Sequence, residues 1–325
     1  MAEYENEDCP KLSLHLPNIR GYSSFRYVLE LALAAQRAGF SGIYVSDHVL
    51  YPREYSHIFG KTGMLEATTV LSALASQVSH MSVGTAILLP LRHPIHSASA
   101  LATVDQISEG RLVVGLGIGW NEQEFASLGF KLSQRAQIID DWGRATRALW
   151  ENESATYRGR FFNFEDVNSQ PRPYRNAHPP ILAGGAIRNA LPRVNSYADG
   201  WMPDAPTLGE FKEGVERIRE SNPPSRASSF HFMINVWATI GHAYEDAIEH
   251  AKFMIRREKS PPWALDLPQF LERSIVGEPG QFAKRTRSYW DLGAEEVIIG
   301  LPPFGNEVEM VELIGAEVIP VLKRR

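Results

Sequence analysis

Cysteine is nearly missing from this chain: of 325 residues, only Cys9 is one. No internal disulfide can form and no cysteine pair can grip zinc, which fits a reducing compartment, and Cys9 is given no catalytic role. Long hydrophobic runs are missing too, since no uninterrupted apolar stretch approaches ~18 residues, the length a membrane span requires. The acidic start, with Glu3, Glu5, Glu7 and Asp8, has the wrong sign for a signal or transit peptide. A cytoplasmic protein with no membrane partner is therefore expected. A basic excess is also lacking: the net charge is −5, and only the closing Lys323-Arg324-Arg325 gathers positive charge. No stripe of Lys and Arg tracks a phosphate backbone, so no nucleic-acid partner is expected.

What is present is enough apolar material for a large core, 44% of residues being hydrophobic. Barrels of alternating strands and helices reach this size as one domain, and residues 1–325 are read as one. β-type runs at 11–16, 42–46, 83–88, 112–116, 180–183, 200–202, 230–240 and 296–300 make eight candidate strands. Amphipathic segments at 23–38, 65–78, 95–107, 133–150, 208–220, 244–257, 281–292 and 307–322 supply the helices, and one further helix begins near Ile187. The alternation predicts an α/β fold, a (β/α)8 TIM barrel with insertions after strands two, four and seven. The stretch 157–173, with Phe161, Phe162 and Phe164, reads as an inserted hairpin and loop, and 260–267 as a lid or loop.

In such a barrel the active site collects where strands end and the loops to the next helices begin. The informative positions are His15, Leu16 and Pro17; Asp47 and His48; 85–88; 117–121; Gly184 and Gly185; and Trp201. Apolar and aromatic groups dominate them, which suits a flat apolar ring better than a sugar or a metal cluster. Asp47 and His48 are the one adjacent acid and base. An imidazole's near-neutral pKa suits proton transfer, although a histidine there can also be a core residue satisfied by a neighbouring carbonyl. Tyr51, His57, Phe59, Trp120 and Trp201 are candidates for substrate wall or for core. His93 and His96, three residues apart, lack a third ligand close in sequence, so no metal site is expected. The GLGIG stretch at 115–119 lacks the third glycine and the distal acid of a dinucleotide fingerprint.

Four blocks then occur in order: SDH at 46–48, GTAILLPLRHP at 84–94, SEGRLVVGLGIGWNEQEFASLG at 108–129 and HPPILAGGAIRNALPRVNSYADGW at 178–201. In this order the chain resembles the bacterial luciferase-like monooxygenase superfamily, most of all the branch that uses the deazaflavin coenzyme F420. The likeness runs from about residue 12 to 201 and resumes weakly at 274–282 and 292–301. It implies an oxidoreductase whose ring lies in the barrel mouth, with Asp47 and the backbone of Thr85 and Ala86 at the ring's polar edge. It also implies a non-proline cis peptide in the third strand, placed here at Thr85-Ala86, and His48 as the catalytic histidine beside Asp47. Gly117 and Trp120 would contact the cofactor, and Gly184, Gly185 and Ala186 at a helix start would receive its phosphate, with Arg188 as added charge.

Departures from the pattern matter. Where some F420-dependent members carry a glutamate after the fourth-strand glycines, this chain has Trp120, leaving Asn121 and Glu122 as nearby polar groups. Ile118 replaces the basic phosphate contact of luciferase itself. Arg135 matches a recurrent arginine of the superfamily or forms a helix-surface ion pair with Asp140 or Asp141.

The expectation is an F420-dependent hydride transfer to or from a small organic substrate. The first alternative is an FMN-dependent monooxygenase fed by a separate reductase. The second, from another class, is a flavin-binding barrel without catalysis. The resemblance implies a homodimer, and the loops 51–64 and 260–271 are expected to set the substrate.

Overall fold

The computed structural model describes residues 11–19, 24–51, 64–176, 178–223, 225, 228–257 and 264–324. In chain order the strands are β1 Lys11–His15, β2 Gly42–Val45, β3 Ser82–Leu88, β4 Leu112–Leu116, β5 Ala155–Arg158, β6 Asn163–Val167, β7 Ile181–Gly184, β8 Gly200–Met202, β9 His231–Ile240, β10 Ile275–Gly277 and β11 Glu296–Gly300. Eight of them pair in parallel in the order β1, β2, β3, β4, β7, β8, β9, β11, and β11 returns to β1. The sheet is a closed (β/α)8 barrel, as the alternation predicts. β10 runs beside the last residues of β9, outside this circuit.

The strand sequences show why the sheet closes. GIYV in β2 and LVVGL in β4 are buried at every position, as strands are when helices cover one face and a filled barrel interior the other. The helices supply the outer layer. Helix Phe25–Ala38 begins where the Ser24 side chain accepts from Tyr27 N–H and buries Val28, Leu31, Ala32 and Ala35 against the sheet.

Several local outcomes differ from the sequence reading. The segment 307–322 is not one helix: a wide turn, Ile314–Val318, separates Glu307–Leu313 from Ile319–Leu322. Pro320 has no N–H to close a regular turn there, which accounts for the break. A short helix, Glu122–Ser127, follows β4 unannounced, and Leu267–Arg273 is helical where a loop was expected. Cys9, His57 and Phe59, together with most of the loop 51–64 and part of 260–271, lie outside the described residues. The inserted hairpin is β5 with β6. Asp141 clamps it to helix Arg135–Glu151 by accepting from the Tyr157 hydroxyl at 2.7 Å and from Phe161 N–H at 2.6 Å.

One carboxyl sits in the barrel floor. Glu296, at the start of β11, is buried with the Ser13 hydroxyl donating to it. Burial pushes its pKa above the ordinary range, and hydrogen bonds from Ser13 and Tyr44 only partly oppose this. A carboxyl raised in the folded state holds its proton more tightly folded than unfolded, so its stabilising contribution is complete at low pH. It is lost as pH rises from the ordinary carboxylate value through the folded one. Glu296→Gln should therefore unfold at a higher temperature than the parent at pH 8, with the two converging near pH 4. Calorimetry at both pH values checks this, and a pH-independent gap would contradict it.

Candidate active site

A cavity of about 330 Å³ lies at the C-terminal ends of the barrel strands. His15 after β1, Asp47 and His48 after β2, Ile87 in β3, Trp120 after β4 and Gly185 after β7 all line it. This is where a (β/α)8 barrel places its chemistry. A second cleft, of about 520 Å³, is lined by Arg147 and Asp199 among others, at residues that precede β8 and β9. There Arg147 already pairs with Glu151 and Asp199, and no barrel strand contributes its C-terminal end.

The cavity floor is a bulge in β3. Its register with β4 shifts between Thr85 and Leu88, and the non-proline cis bond is Ala86-Ile87. The Thr85-Ala86 assignment is thus corrected by one residue. Thr85 itself is fully buried with its hydroxyl donating to Gly115 C=O at 2.9 Å, so the cavity is lined by Ala86 and Ile87 instead.

Asp47 holds this bulge from both sides. Its N–H donates to Ile87 C=O at 3.1 Å, and its carboxylate accepts from Leu89 N–H at 3.0 Å. Arg92 completes a bidentate pair with the same carboxylate at 2.8 and 2.9 Å and reaches Glu66 at 2.8 Å. The Arg92 pKa is raised: burial alone would lower it, and the bonds to Asp47 outweigh that. The sequence offered Asp47 as an acid beside His48. In the structure both carboxylate oxygens are occupied by Arg92 and the bulge.

His48 is held by a residue the sequence reading passed over. Its Nδ1 lies 2.9 Å from Oε2 of Glu124, a fully buried carboxylate that also accepts from the N–H groups of Val49 and Leu50. A carboxylate can only accept, so Nδ1 carries the hydrogen and Nε2 is the nitrogen left to the cavity. Tyr51 and Trp120 pack on the ring at centroid distances of 4.4 and 5.9 Å. Glu124 reaches this position because Asn121 caps the helix Glu122–Ser127, accepting from Glu124 N–H, while its amide donates to Leu50 C=O. Glu122, named in the sequence, does not line the cavity. The available signal was Asn121 followed three residues later by an acid, a helix-start pattern that places Glu124 in the first turn facing back.

The far end of the cavity is made by β7 and helix Ile187–Val194. Gly184 and Gly185 line it, and at Gly185, with φ +91°, a Cβ would meet nothing within 4 Å. Gly117 is tighter: a Cβ there would stand 1.5 Å from Ile87 Cδ1, so glycine lets the bulge residue settle. Ala186 is the N-cap of the helix and is not a lining residue. Arg188 is exposed and absent from the wall. The cation facing the cavity is Arg193, 5% exposed, with Nε on Asp140 at 2.8 Å. Arg193 stands at one-and-a-half turns from the helix start, a position the sequence did not distinguish from the helix surface. Asp140 and Asp141 are thus engaged by Arg193 and the hairpin rather than by Arg135. Trp201 is core: it stacks on Phe211 at 5.7 Å and donates to Gly185 C=O.

Known proteins share this fold. The profile of the luciferase-like monooxygenase family matches residues 12–296. The chain belongs to that family. An FMNH2-dependent dimethylsulfone monooxygenase of Pseudomonas putida is 24% identical over 91% of this chain and 88% of its own length. An F420-dependent glucose-6-phosphate dehydrogenase of Microbacterium testaceum is 24% identical over 92% and 94%. Among solved structures, the monooxygenase RslO1 from Streptomyces bottropensis shares the fold, with a TM-score of 0.80 and 22% identity over 96% of this chain and 99% of that one. The protein is accordingly an oxidoreductase of the luciferase-like family. No helix among the described residues is long and apolar enough to cross a membrane, and no group of three or more potential ligands there could hold a metal.

The Asp47–Arg92 pair is expected to be structural in its first effect. Asp47→Ala leaves Arg92 without its main partner and the bulge without its acceptor, which should cost about 3 kcal/mol in urea unfolding. A loss below about 1 kcal/mol would remove the pair from its role as the bulge's anchor.

Proposed function

We propose that the protein transfers a hydride between coenzyme F420 and a small organic substrate. The observation that carries this reading is His48, fixed by Glu124 as one tautomer, with Nε2 left to a cavity whose floor is the Ala86-Ile87 bulge. The residues present fit a flavin-type group: an apolar slot between bulge and aromatic wall, and at its end glycines, a helix start and the buried Arg193 guanidinium. The deazaflavin, when bound, supplies two electrons as hydride and, unlike FMN, does not activate oxygen.

The chain's own residues do the rest. Ala86 and Ile87 back the ring, and Gly117 leaves room for Ile87. Gly185, the free N–H groups at Ile187 and Arg188, and the side chain of Arg193 receive the phosphate. His48 Nε2 gives or takes the proton that accompanies the hydride, and Glu124 holds the ring by accepting from Nδ1–H. Trp120 and Tyr51 shield that proton from bulk water. A second reading keeps the same site and uses reduced FMN with oxygen and a separate reductase, and the name of the Pseudomonas putida relative favours it. A third keeps the binding and has no turnover.

Side-by-side fluorescence titration with F420 and FMN, followed by rates on an alcohol and ketone panel, tests the three. F420 preference with His48→Ala lowering kcat by about 10²- to 10⁴-fold, at little cost in cofactor affinity, is expected. Glu124→Gln should lower kcat less than His48→Ala does, because the amide oxygen still accepts from Nδ1–H. FMN preference with oxygen uptake would replace the first reading by the second. Cofactor binding with His48→Ala kinetically silent would favour the third.

A further inference from the structure

Opposite His48 the cavity carries a second polar group set that the reaction above does not use. β8 stands four strands from β2 in the closed order of eight, so Asp204, two residues beyond β8, faces the mouth from the other side. Asn235 in β9 donates from Nδ2 to Asp204 Oδ1 at 2.7 Å. Its Oδ1 lies 3.0 Å from His15 Nδ1, and His15 Nε2 lies 2.7 Å from the Ser46 hydroxyl. Ser46 in turn stands 3.5 Å from Ala86 C=O, on the bulge itself.

The donors and acceptors in this chain are determined from one end. Asp204 as a carboxylate accepts, so Asn235 must turn its NH2 toward Asp204 and its carbonyl oxygen toward His15. His15 then carries its hydrogen on Nδ1, and its Nε2 accepts from Ser46. The chain ends at Asp204, which lines the cavity and whose Oδ2 has no partner among the described residues. Met202 and Trp237 also line the wall, Arg273 bonds Ala205 C=O and is paired with Glu210, and Arg193 is paired with Asp140. Burial pushes the Asp204 carboxyl above the ordinary range, with the Asn235 bond opposing. Leu16, Ile19, Val236 and Leu301 make the remainder of this side apolar.

We propose that Asp204, oriented through Asn235, His15 and Ser46, is a substrate-recognition residue that accepts a hydrogen bond from a hydroxyl remote from the reacting carbon. This deepens the hydride-transfer reading and rests on it for the position of the reacting end, at His48. The substrate class that follows is a small, uncharged, mainly apolar molecule with two oxygen functions: one at His48, the second a hydroxyl across the mouth at Asp204. A carboxylate in the second position would be repelled. His15 and Asn235 are positioning residues, since both of their polar ends are engaged within the chain.

The test uses full-length protein labelled with ¹⁵N-histidine, with 1,4-cyclohexanediol, cyclohexanol and cyclohexanecarboxylate as separate probes. Expected for the parent are a His15 Nδ1–H tautomer, tightest binding of the diol, about 5- to 10-fold weaker binding of cyclohexanol, and weakest binding of the carboxylate. In Asp204→Ala the diol and cyclohexanol should bind equally, and His15 should lose its single tautomer. An Nε2–H tautomer in the parent, equal affinity of the parent for diol and cyclohexanol, or an unchanged diol preference in Asp204→Ala would each overturn the proposal. The parent measurements decide it even if the variant does not fold. The same samples titrated with F420 and FMN separate the two readings. Failure of both proteins to bind either cofactor counts against the cofactor assignment alone, while loss of the diol preference with cofactor binding intact counts against Asp204 alone.

Discussion

The ion pair between Asp47 and Arg92 is the constraint on which the site depends. It joins the end of β2 to the loop after β3, and the same carboxylate reaches across the Ala86-Ile87 bulge to Leu89 N–H. Without it only the Asp47 N–H bond to Ile87 C=O ties the end of β2 to the bulge that seats Ile87 over Gly117. Arg92 is held in its turn by Glu66 and, through its own carbonyl, by the Trp142 indole at 3.0 Å. The floor of the cavity is therefore tied to two surrounding helices, Ala67–Ala75 through its N-cap Glu66 and Arg135–Glu151 through Trp142, before any ligand arrives, which is the preorganisation that electrostatic catalysis requires.

Around that floor stand two polar groups of different construction. His48 is held from behind by a buried carboxylate and offers one nitrogen. Asp204 is held at one oxygen by a neutral amide and offers the other. The first arrangement leaves one imidazole nitrogen to the cavity, and the second leaves one carboxylate oxygen without a partner among the described residues. Both chains of contacts end at the bulge or at the β2 loop that anchors it, so the shape of the floor and the orientation of the side chains are set together.

Much of this was legible in the sequence. The period of apolar runs fixed eight barrel strands closely, because strands buried on both faces read as short continuous apolar blocks, and β4, β8 and β11 fall at the bounds read from the chain. The position of His48, Gly117, Trp120, Gly184 and Gly185 at the mouth followed from strand ends alone. Other features depend on contacts between residues far apart in sequence. That Asp47 serves Arg92, 45 residues on, and that His48 meets Glu124, 76 residues on, cannot be read from either neighbourhood. The one-residue shift of the cis bond arises in the same way, since the register of β3 is set by β4 and by Asp47 rather than by the local sequence. Arg193 was hidden among helix-surface arginines, and only the packing of helix Ile187–Val194 on β7 turns it inward.

The central claim is that the bulge at Ala86-Ile87 is the platform for a flavin-type ring, with His48 Nε2 at its reacting face. A crystal structure of the protein soaked with F420 tests it most directly. The account predicts ring density lying against Ala86 and Ile87, phosphate beside Gly185 and Arg193, and His48 Nε2 within hydrogen-bonding reach of the space over the ring's reactive carbon. Ring density in the cleft beside Arg144 and Arg147, or a ring in the barrel mouth with His48 turned away from it, would contradict the account.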